Sequence, residues 1–598
     1  LFKVSTLATQ KNSNTMTMKV LCLGWIAALS LTACGSDASQ SKTTTGSNEV
    51  KIHQLSDPEK LNPLTSTDAN ASTICANIFE SLVTNDLTTY ERKAFLIKTL
   101  PEVVMNADHS IDFVMEFREE AAWPDGSPIT GNDFDFSLKL IKNPFINCGP
   151  MRSSFELFDK VTVDATNPKK FTVHCDTIYN VAETYVTSLQ MLNAKVFDPK
   201  GLLKNFSVYD LTHNIKALEN NIALKEQGEF FNKSFNTALP ENAGSGGYQF
   251  DKWETFQRVV LHKNKNWWAF KLKDADAVTF HANPDKLIYE TVTDLNTAVV
   301  ALKANELDVM HSIPNRDFVQ DMQASKEMQD KFYLLSPPQF AYEHIGINTK
   351  NAKYADVRVR QALSHLIDVD KIVQVVAYGL GERISSFIHP LKKDYYNSDI
   401  EMPDYNVAKA KKLLADAGWK DSNGDGTVDK IINGEKTELE VNVMYNKGNE
   451  RRKKICLYFL ESAKAAGVKI NIQVKEWSEM LDAVHTHSFE LYVLTLTSSP
   501  LESDPKPVWH TSEYAEGSNY TGFGNKESDA VIEKIRTTLD ATQRAVYYKE
   551  LQKMVSDQVP VIFLMAHKER IAINKRWDNV VASGLYPGYD ATMFKLRP

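Results

Sequence analysis

Met18-Lys19 gives a short basic start, and Val20 to Leu31 (VLCLGWIAALSL) follows as an apolar run broken only by Gly24 and Ser30. The run is too short to cross a bilayer as a stable helix but suits the hydrophobic region of a secretory leader. It ends in Leu31-Thr32-Ala33-Cys34, small residues and then a cysteine. That is the pattern of a lipobox, in which cleavage leaves a cysteine as the lipid-bearing N-terminus. The next stretch, GSDASQSKTTTGSNE, is too polar to belong to a packed core. Residues 18–33 therefore read as a leader and 34–47 as a tether lipidated on Cys34. Everything beyond is expected to fold outside the membrane, exported and anchored to the periplasmic or extracytoplasmic face of the cell envelope. Residues 1–17 read as upstream sequence or a mis-assigned start and are set aside.

Removing residues 1–33 from 598 leaves 565, too many for one hydrophobic core and enough for two or three domains. No second apolar run approaches membrane-spanning length, so the polypeptide is expected to be tethered rather than inserted. The removed segment holds Lys3, Lys11 and Lys19 and no acid, which moves the net charge from -8 to -11. An acidic chain without basic clusters argues against nucleic acid as the partner. Beyond Cys22 and Cys34 only Cys75, Cys148, Cys175 and Cys456 remain. Export permits a disulfide, with Cys148 and Cys175 nearest in sequence, and four buried thiols are the alternative. No Cys/His spacing suggests structural zinc, and no cofactor is expected.

Past the tether, β-rich runs alternate with helical ones. Ile111 to Phe117, Arg258 to His262, Val468 to Val474, Phe489 to Leu496 and the buried-looking VPVIFLMA read as strands. DFDFSLKLIK, Leu295 to Ala304, Asp356 to Tyr378, Val407 to Ala417 and Lys549 to Asp557 read as helices. Gly244 to Tyr248 (GSGGY) reads as a tight turn, and no internal repeat is seen. Interleaved helices and strands predict an α/β architecture with helix-covered sheets.

Several strings, taken in order, resemble family 5 of the bacterial extracellular solute-binding proteins, the oligopeptide- and dipeptide-binding components of ABC importers. They are LNPLTSTDANASTICANIFESLV from Leu61, WPDGSPITGNDF from Trp123, GSGGYQF from Gly244 and ALKANELDVM from Ala301. IGINTKNAKYADVRVRQALSHLIDVDKIV from Ile345 and AKKLLADAGW from Ala410 complete the set. The resemblance implies a two-lobed, type II periplasmic-binding-protein-like fold with an additional domain inserted in lobe I. Lobe I would comprise 48–83, 240–338 and 561–598, the additional domain 84–239, and lobe II 339–560. Crossings between lobes would fall near Ser336 to Ile345 and Val559 to Ala566. Peptides in such proteins lie extended between the lobes, held partly as an added strand would be. The partners implied are a peptide or other small solute and membrane permease subunits, with the protein itself a monomer.

No catalytic constellation is visible, neither a GxSxG elbow nor HExxH, so no enzyme is expected. His485 and His487 are spaced to share a strand face, as metal ligands or as solvated side chains. Asp421 to Asp429 starts like an EF-hand loop, but Ile432 stands at the twelfth position; calcium binding and a plain Asx-rich turn both remain open. By carry-over from the family, one ligand wall would be Thr67-Asp68-Ala69 and the other Thr497-Ser498-Ser499, with Tyr342 and Asn519 as further candidates. Oligopeptide binders place an aspartate four residues before a proline in the second wall, where it pairs with the ligand's α-amino group. Here that position is Leu501. Glu502, one residue on, or Asp68 on the facing wall, is the carboxylate expected to take over the ammonium. The departure leaves a metal chelate or a glycan fragment open as the ligand. A glycan binder would want an aromatic platform such as Trp267-Trp268, although an aromatic pair after a strand is more often core packing. An exported hydrolase is the remaining rival.

Overall fold

The β-rich runs pair into three main sheets. The computed structural model describes residues 47–598 apart from positions 67, 274, 275, 277 and 516. The leader, Cys34 and the tether up to residue 46 lie outside the described residues. A seven-stranded sheet runs in the order 332–335, 571–574, 309–310, 49–54, 286–291, 258–263 and 248–254. Its strand Glu49–Gln54 is parallel to Lys286–Thr291, whereas Arg258–Lys263 pairs antiparallel. A six-stranded sheet runs 381–383, 561–568, 338–347, 491–497, 440–446 and 469–475. A four-stranded antiparallel sheet is built from 102–105, 111–116, 170–175 and 158–163. The predicted α/β class is the one observed.

Local chemistry explains the elements. In Ile111–Glu116, Ile111, Phe113 and Met115 point inward and alternate with half-buried neighbours, the period-2 signature of a strand. The helix Gly131–Lys142 starts at a capping box in which Asp133 accepts the Thr130 N–H at 2.8 Å. In GSGGY the glycines are demanded by close approach. A Cβ on Gly244 would stand 2.0 Å from the Ile78 carbonyl oxygen, and one on Gly246 2.4 Å from that of Asn77.

Two helix expectations need correction. Asp356 to Tyr378 is not one helix: Val357–Ser364 stops, and Val369–Lys371 restarts and runs into a π turn over Ile372–Val376. The break is made by Asp368, whose carboxylate accepts the Lys371 N–H at 3.0 Å and so begins a new helix, which apolar periodicity alone does not register. The helix expected over Lys549 to Asp557 is the end of a longer one, Ala541–Gln558. His485 and His487 share no strand. His485 closes the helix Trp477–His485, and His487, at φ 54°, stacks on Tyr514 with its ring nitrogens facing the Tyr520 and Tyr514 carbonyls. The Asp421–Asp429 loop folds on itself: Asp421 accepts the Gly424 and Gly426 N–H groups at 2.7 and 3.0 Å, and Asp429 that of Ser422 at 2.9 Å.

One continuous hydrophobic core joins the seven- and four-stranded sheets, and a separate one fills the six-stranded sheet and its helices. The four described cysteines are free and buried, and burial pushes the thiols of Cys75, Cys175 and Cys456 up to about 12. Trp267 and Trp268 are buried edge-to-face and form no surface platform. Both indole N–H groups donate to Glu80, at 2.7 Å to Oε1 and 2.8 Å to Oε2, and the Ser245 hydroxyl donates to Oε2 at 2.6 Å.

Burial nevertheless raises the Glu80 carboxyl from 4.5 to about 7, because three hydrogen bonds replace only part of the lost hydration. In the unfolded chain the group ionises near 4.5, so its contribution to stability is full below that pH and is lost as pH rises through 7. The loss amounts to at most about 3 kcal/mol. Glu80→Gln is expected to flatten the fall in melting temperature between pH 5 and 8. A variant with the wild-type slope would assign that slope to other groups.

Candidate functional site

The chain passes from the seven-stranded to the six-stranded sheet at Ser336-Pro337 and returns at Glu569-Arg570. The two passages touch: Glu569 N donates to Pro337 O at 2.7 Å, and Ser336 Oγ donates to Glu569 O at 2.9 Å. Beside them lies a cavity of about 440 Å³. Its walls come from Phe340 and Ala341 after the first passage, Thr497 and Ser498 on the neighbouring strand, and the turn Ser583–Gly588. Ser498 N donates to Phe340 O at 2.7 Å, extending the ladder one residue past the strand Leu491–Thr497. Hollows also lie beside Glu80 and beside Met151, but neither takes walls from the six-stranded sheet.

Charged side chains gather on one side of the cavity. Glu343, in the strand Pro338–Ile347, is 0 % exposed. Its carboxylate accepts from Arg451 Nε and Arg452 Nε, each at 2.8 Å, and the His567 ring lies 3.4 Å away. Burial opposes the Glu343 charge, but Arg451, His567 and Arg452 outweigh it and hold the carboxyl well below the ordinary carboxylate range. Burial also holds His567 below its ordinary value. Glu569 accepts from Ser312 N at 3.0 Å, Arg570 N at 2.9 Å and Gln339 Nε2. None of these charged residues was singled out from the sequence. A glutamate inside the apolar run FAYEHIGI was the available signal, because a buried carboxylate requires cationic partners.

The expected site residues are dispersed. Thr497 and Ser498 line the cavity, whereas Ser499 is exposed and its hydroxyl accepts the Leu501 N–H at 3.0 Å. Asp68 caps the helix Ala69–Cys75, accepting from Asn70 N at 3.0 Å and Ala71 N at 3.4 Å, and Ala69 is the exposed first residue of that helix. Thr67 lies outside the described residues. Tyr342 is buried against Phe563 and Ile384. Asn519 is fully buried and staples its own loop, donating to His510 O at 3.0 Å and Phe523 O at 2.8 Å.

Glu502 is not a free wall carboxylate. Arg544 grips both its oxygens at 2.6 Å, and the Tyr395 hydroxyl donates to it as well. Its neighbour Asp504 accepts from Arg536 Nε at 3.0 Å and from Tyr179 Oη at 3.0 Å. Tyr179 belongs to the segment after the four-stranded sheet, where Asn180 N also donates to Arg536 O at 2.8 Å. The carboxylates after Leu501 thus tie this loop to that segment and to the helices Lys526–Thr537 and Ala541–Gln558. Removing the Glu502 charge strands a guanidinium that is 8 % exposed. Glu502→Gln is expected to destabilise the fold by about 3–5 kcal/mol, measured by chemical denaturation. A loss below about 1 kcal/mol would show that water reaches Arg544.

The geometry can be set beside known proteins. The oligopeptide-binding protein AppA of Bacillus subtilis is 26% identical over 570 residues, covering 93% of this chain and 94% of its own. Its structure, solved in complex with a nonapeptide, superposes with a TM-score of 0.66 at 22% identity, over 92% of this chain and 99% of that one. NikA from Brucella suis, solved in complex with Fe(III)-EDTA, gives a TM-score of 0.71 at 15% identity, over 92% of this chain and 100% of that one. The family model for bacterial extracellular solute-binding proteins, family 5 Middle, matches residues 109–518, more than half of the chain. The chain belongs to family 5 of the bacterial extracellular solute-binding proteins, non-enzymatic components of transport.

Proposed function

We propose that this protein is the lipid-anchored substrate-binding component of an ABC importer, capturing peptides between two lobes and handing them to permease subunits in the membrane. In this reading lobe I comprises 48–83, 240–338 and 561–598, the additional domain 84–239, and lobe II 339–560. The observation that carries it is the cavity beside the paired crossings, whose walls come from strands of the six-stranded sheet on one side and, on the other, from the turn Ser583–Gly588 with Ser312 and Arg570, which flank strands of the seven-stranded sheet. Two short adjacent connections are what a hinge needs, since rotation there opens the cavity while both cores stay packed. The volume of about 440 Å³ falls within the range of about 300–1,000 Å³ usual for small-ligand sites. AppA, matched along nearly its whole length, is named for oligopeptides and was solved with one. Thr497 and Ser498 are the proposed ligand contacts on one wall, with the Thr67 to Ala69 segment as the other.

One observation favours a second reading, a non-peptide solute such as a metal chelate. Leu501 stands where oligopeptide binders carry their ammonium-pairing aspartate, and the structural relative NikA was solved with Fe(III)-EDTA.

Short peptides at a hundredfold excess over Kd are expected to stabilise the protein by about 2.7 kcal/mol, read as a rise in melting temperature, with no product formed. Hydrolysis of any hit would overturn the binding-only reading. Cys34→Ser is expected to leave the protein soluble or unprocessed, and unchanged membrane partitioning of that variant would remove the lipid anchor from the proposal.

A further inference from the structure

Asp504, Arg536 and Leu539 lie between the two passages of the chain and so move with the six-stranded sheet, yet all three reach across to the other side. Asp504 Oδ2 accepts from the Tyr179 hydroxyl at 3.0 Å and from Arg536 Nε at 3.0 Å. The Arg536 guanidinium lies 5.4 Å from the centroid of the Tyr179 ring, and Asn180 N donates to Arg536 O at 2.8 Å. Leu539 completes the contact by packing against the core that the seven- and four-stranded sheets share. Burial and the Asp504 charge push the Tyr179 phenol up, so it stays a donor to that carboxylate.

These bonds lie off the pivot. The passages Ser336-Pro337 and Glu569-Arg570 are joined to each other, so rotation there leaves them intact but has to separate Tyr179 from Asp504. The contact can part without damage. Asp504 is 9 % exposed, yet its countercharge is on its own side, since Arg536 moves with it. Opening therefore strands no buried charge, and Glu502 keeps Arg544 in the same way. What is given up is a phenol-to-carboxylate hydrogen bond, a backbone hydrogen bond, a ring face for Arg536 and the cover over one leucine. So few contacts bias a two-state equilibrium and do not fix it.

We propose that Tyr179 and Asn180, closing on Asp504, Arg536 and Leu539, are a latch that holds the cleft shut before any solute arrives. The inference rests on the two-lobed reading proposed above. Such a latch lowers the fraction of open, loadable protein and slows escape of a captured solute, because entry and release both pass through the broken contact. It also gives the segment after the four-stranded sheet a part in capture, although that segment adds no wall to the cavity beside the crossings.

The test follows the intact protein without ligand, by hydrogen exchange and small-angle X-ray scattering, and then with a mixed tripeptide library. The Asn180 amide is expected to exchange at least about tenfold faster than the paired amides of Lys170–Cys175, since opening frees it and only unfolding frees them. Tyr179→Phe removes the hydroxyl alone. It is expected to raise the Asn180 rate about tenfold, widen the radius of gyration and speed dissociation of a bound tripeptide about tenfold, with rates in Lys170–Cys175 and Leu491–Thr497 unchanged. Leu539→Ser should act in the same direction. The wild-type comparison of Asn180 with the strand needs no variant, so misfolding of either one does not obscure the result. An Asn180 amide as slow as the strand, or faster exchange in Tyr179→Phe at an unchanged radius, overturns the latch. Tripeptides that bind with a dissociation rate unmoved by Tyr179→Phe overturn the latch and leave the peptide reading intact. A radius and an Asn180 rate that respond to Tyr179→Phe, with no tripeptide bound, support the latch and overturn the peptide reading. No response and no binding overturn both.

Discussion

The structure depends on two adjacent passages of the chain between its large sheets. Ser336-Pro337 and Glu569-Arg570 are hydrogen-bonded to each other, so two connections far apart in sequence act as one. Residues 338 to 568 are held to the rest through that junction, through Leu380 in the core beside Ala298 and Leu302, and through contacts such as Tyr179 with Asp504. The cavity lies there because a junction of two sheets cannot be packed as densely as the cores on either side. Two helix-covered sheets each complete a core of their own, and the space between them is left for polar groups and solvent.

Polar groups placed beside such a junction have to satisfy one another. Glu343 sits on a central strand with no exposure at all, and it remains charged because Arg451, Arg452 and His567 reach it. The same rule accounts for Glu502 and Asp504. Each is a partly buried carboxylate with its own arginine, so the loop after Leu501 serves the fold before it can serve a ligand. Glu502 takes its countercharge from the helix Ala541–Gln558 and Asp504 from Lys526–Thr537.

Much of the fold was legible. Ile111–Glu116 and Leu491–Thr497 announced themselves by apolar patterning, and the helix Val407–Asp416 by periodicity and a terminal glycine at φ 87°. The break at Asp368 was not, because a capping carboxylate and an ordinary helix-surface carboxylate look alike until its hydrogen bond to Lys371 N is seen. Thr497 and Ser498, expected only by carry-over from the family, line the cavity at the end of a strand that apolar patterning did mark. Tyr342 and Asn519, further candidates of the same carry-over, are both buried, one in packing and one in a loop staple.

The sequence by itself determined the α/β class, the family resemblance and the absence of a catalytic motif. Periodicity, capping residues and ordered strings are local properties that survive without coordinates. Only the tertiary structure decided which charges meet. Arg451 is separated from Glu343 by more than a hundred residues and from Arg570 by more again, and nothing local marks the three as neighbours. Electrostatic energy depends on distance and burial, and both are fixed only when the paired crossings bring the sheets together.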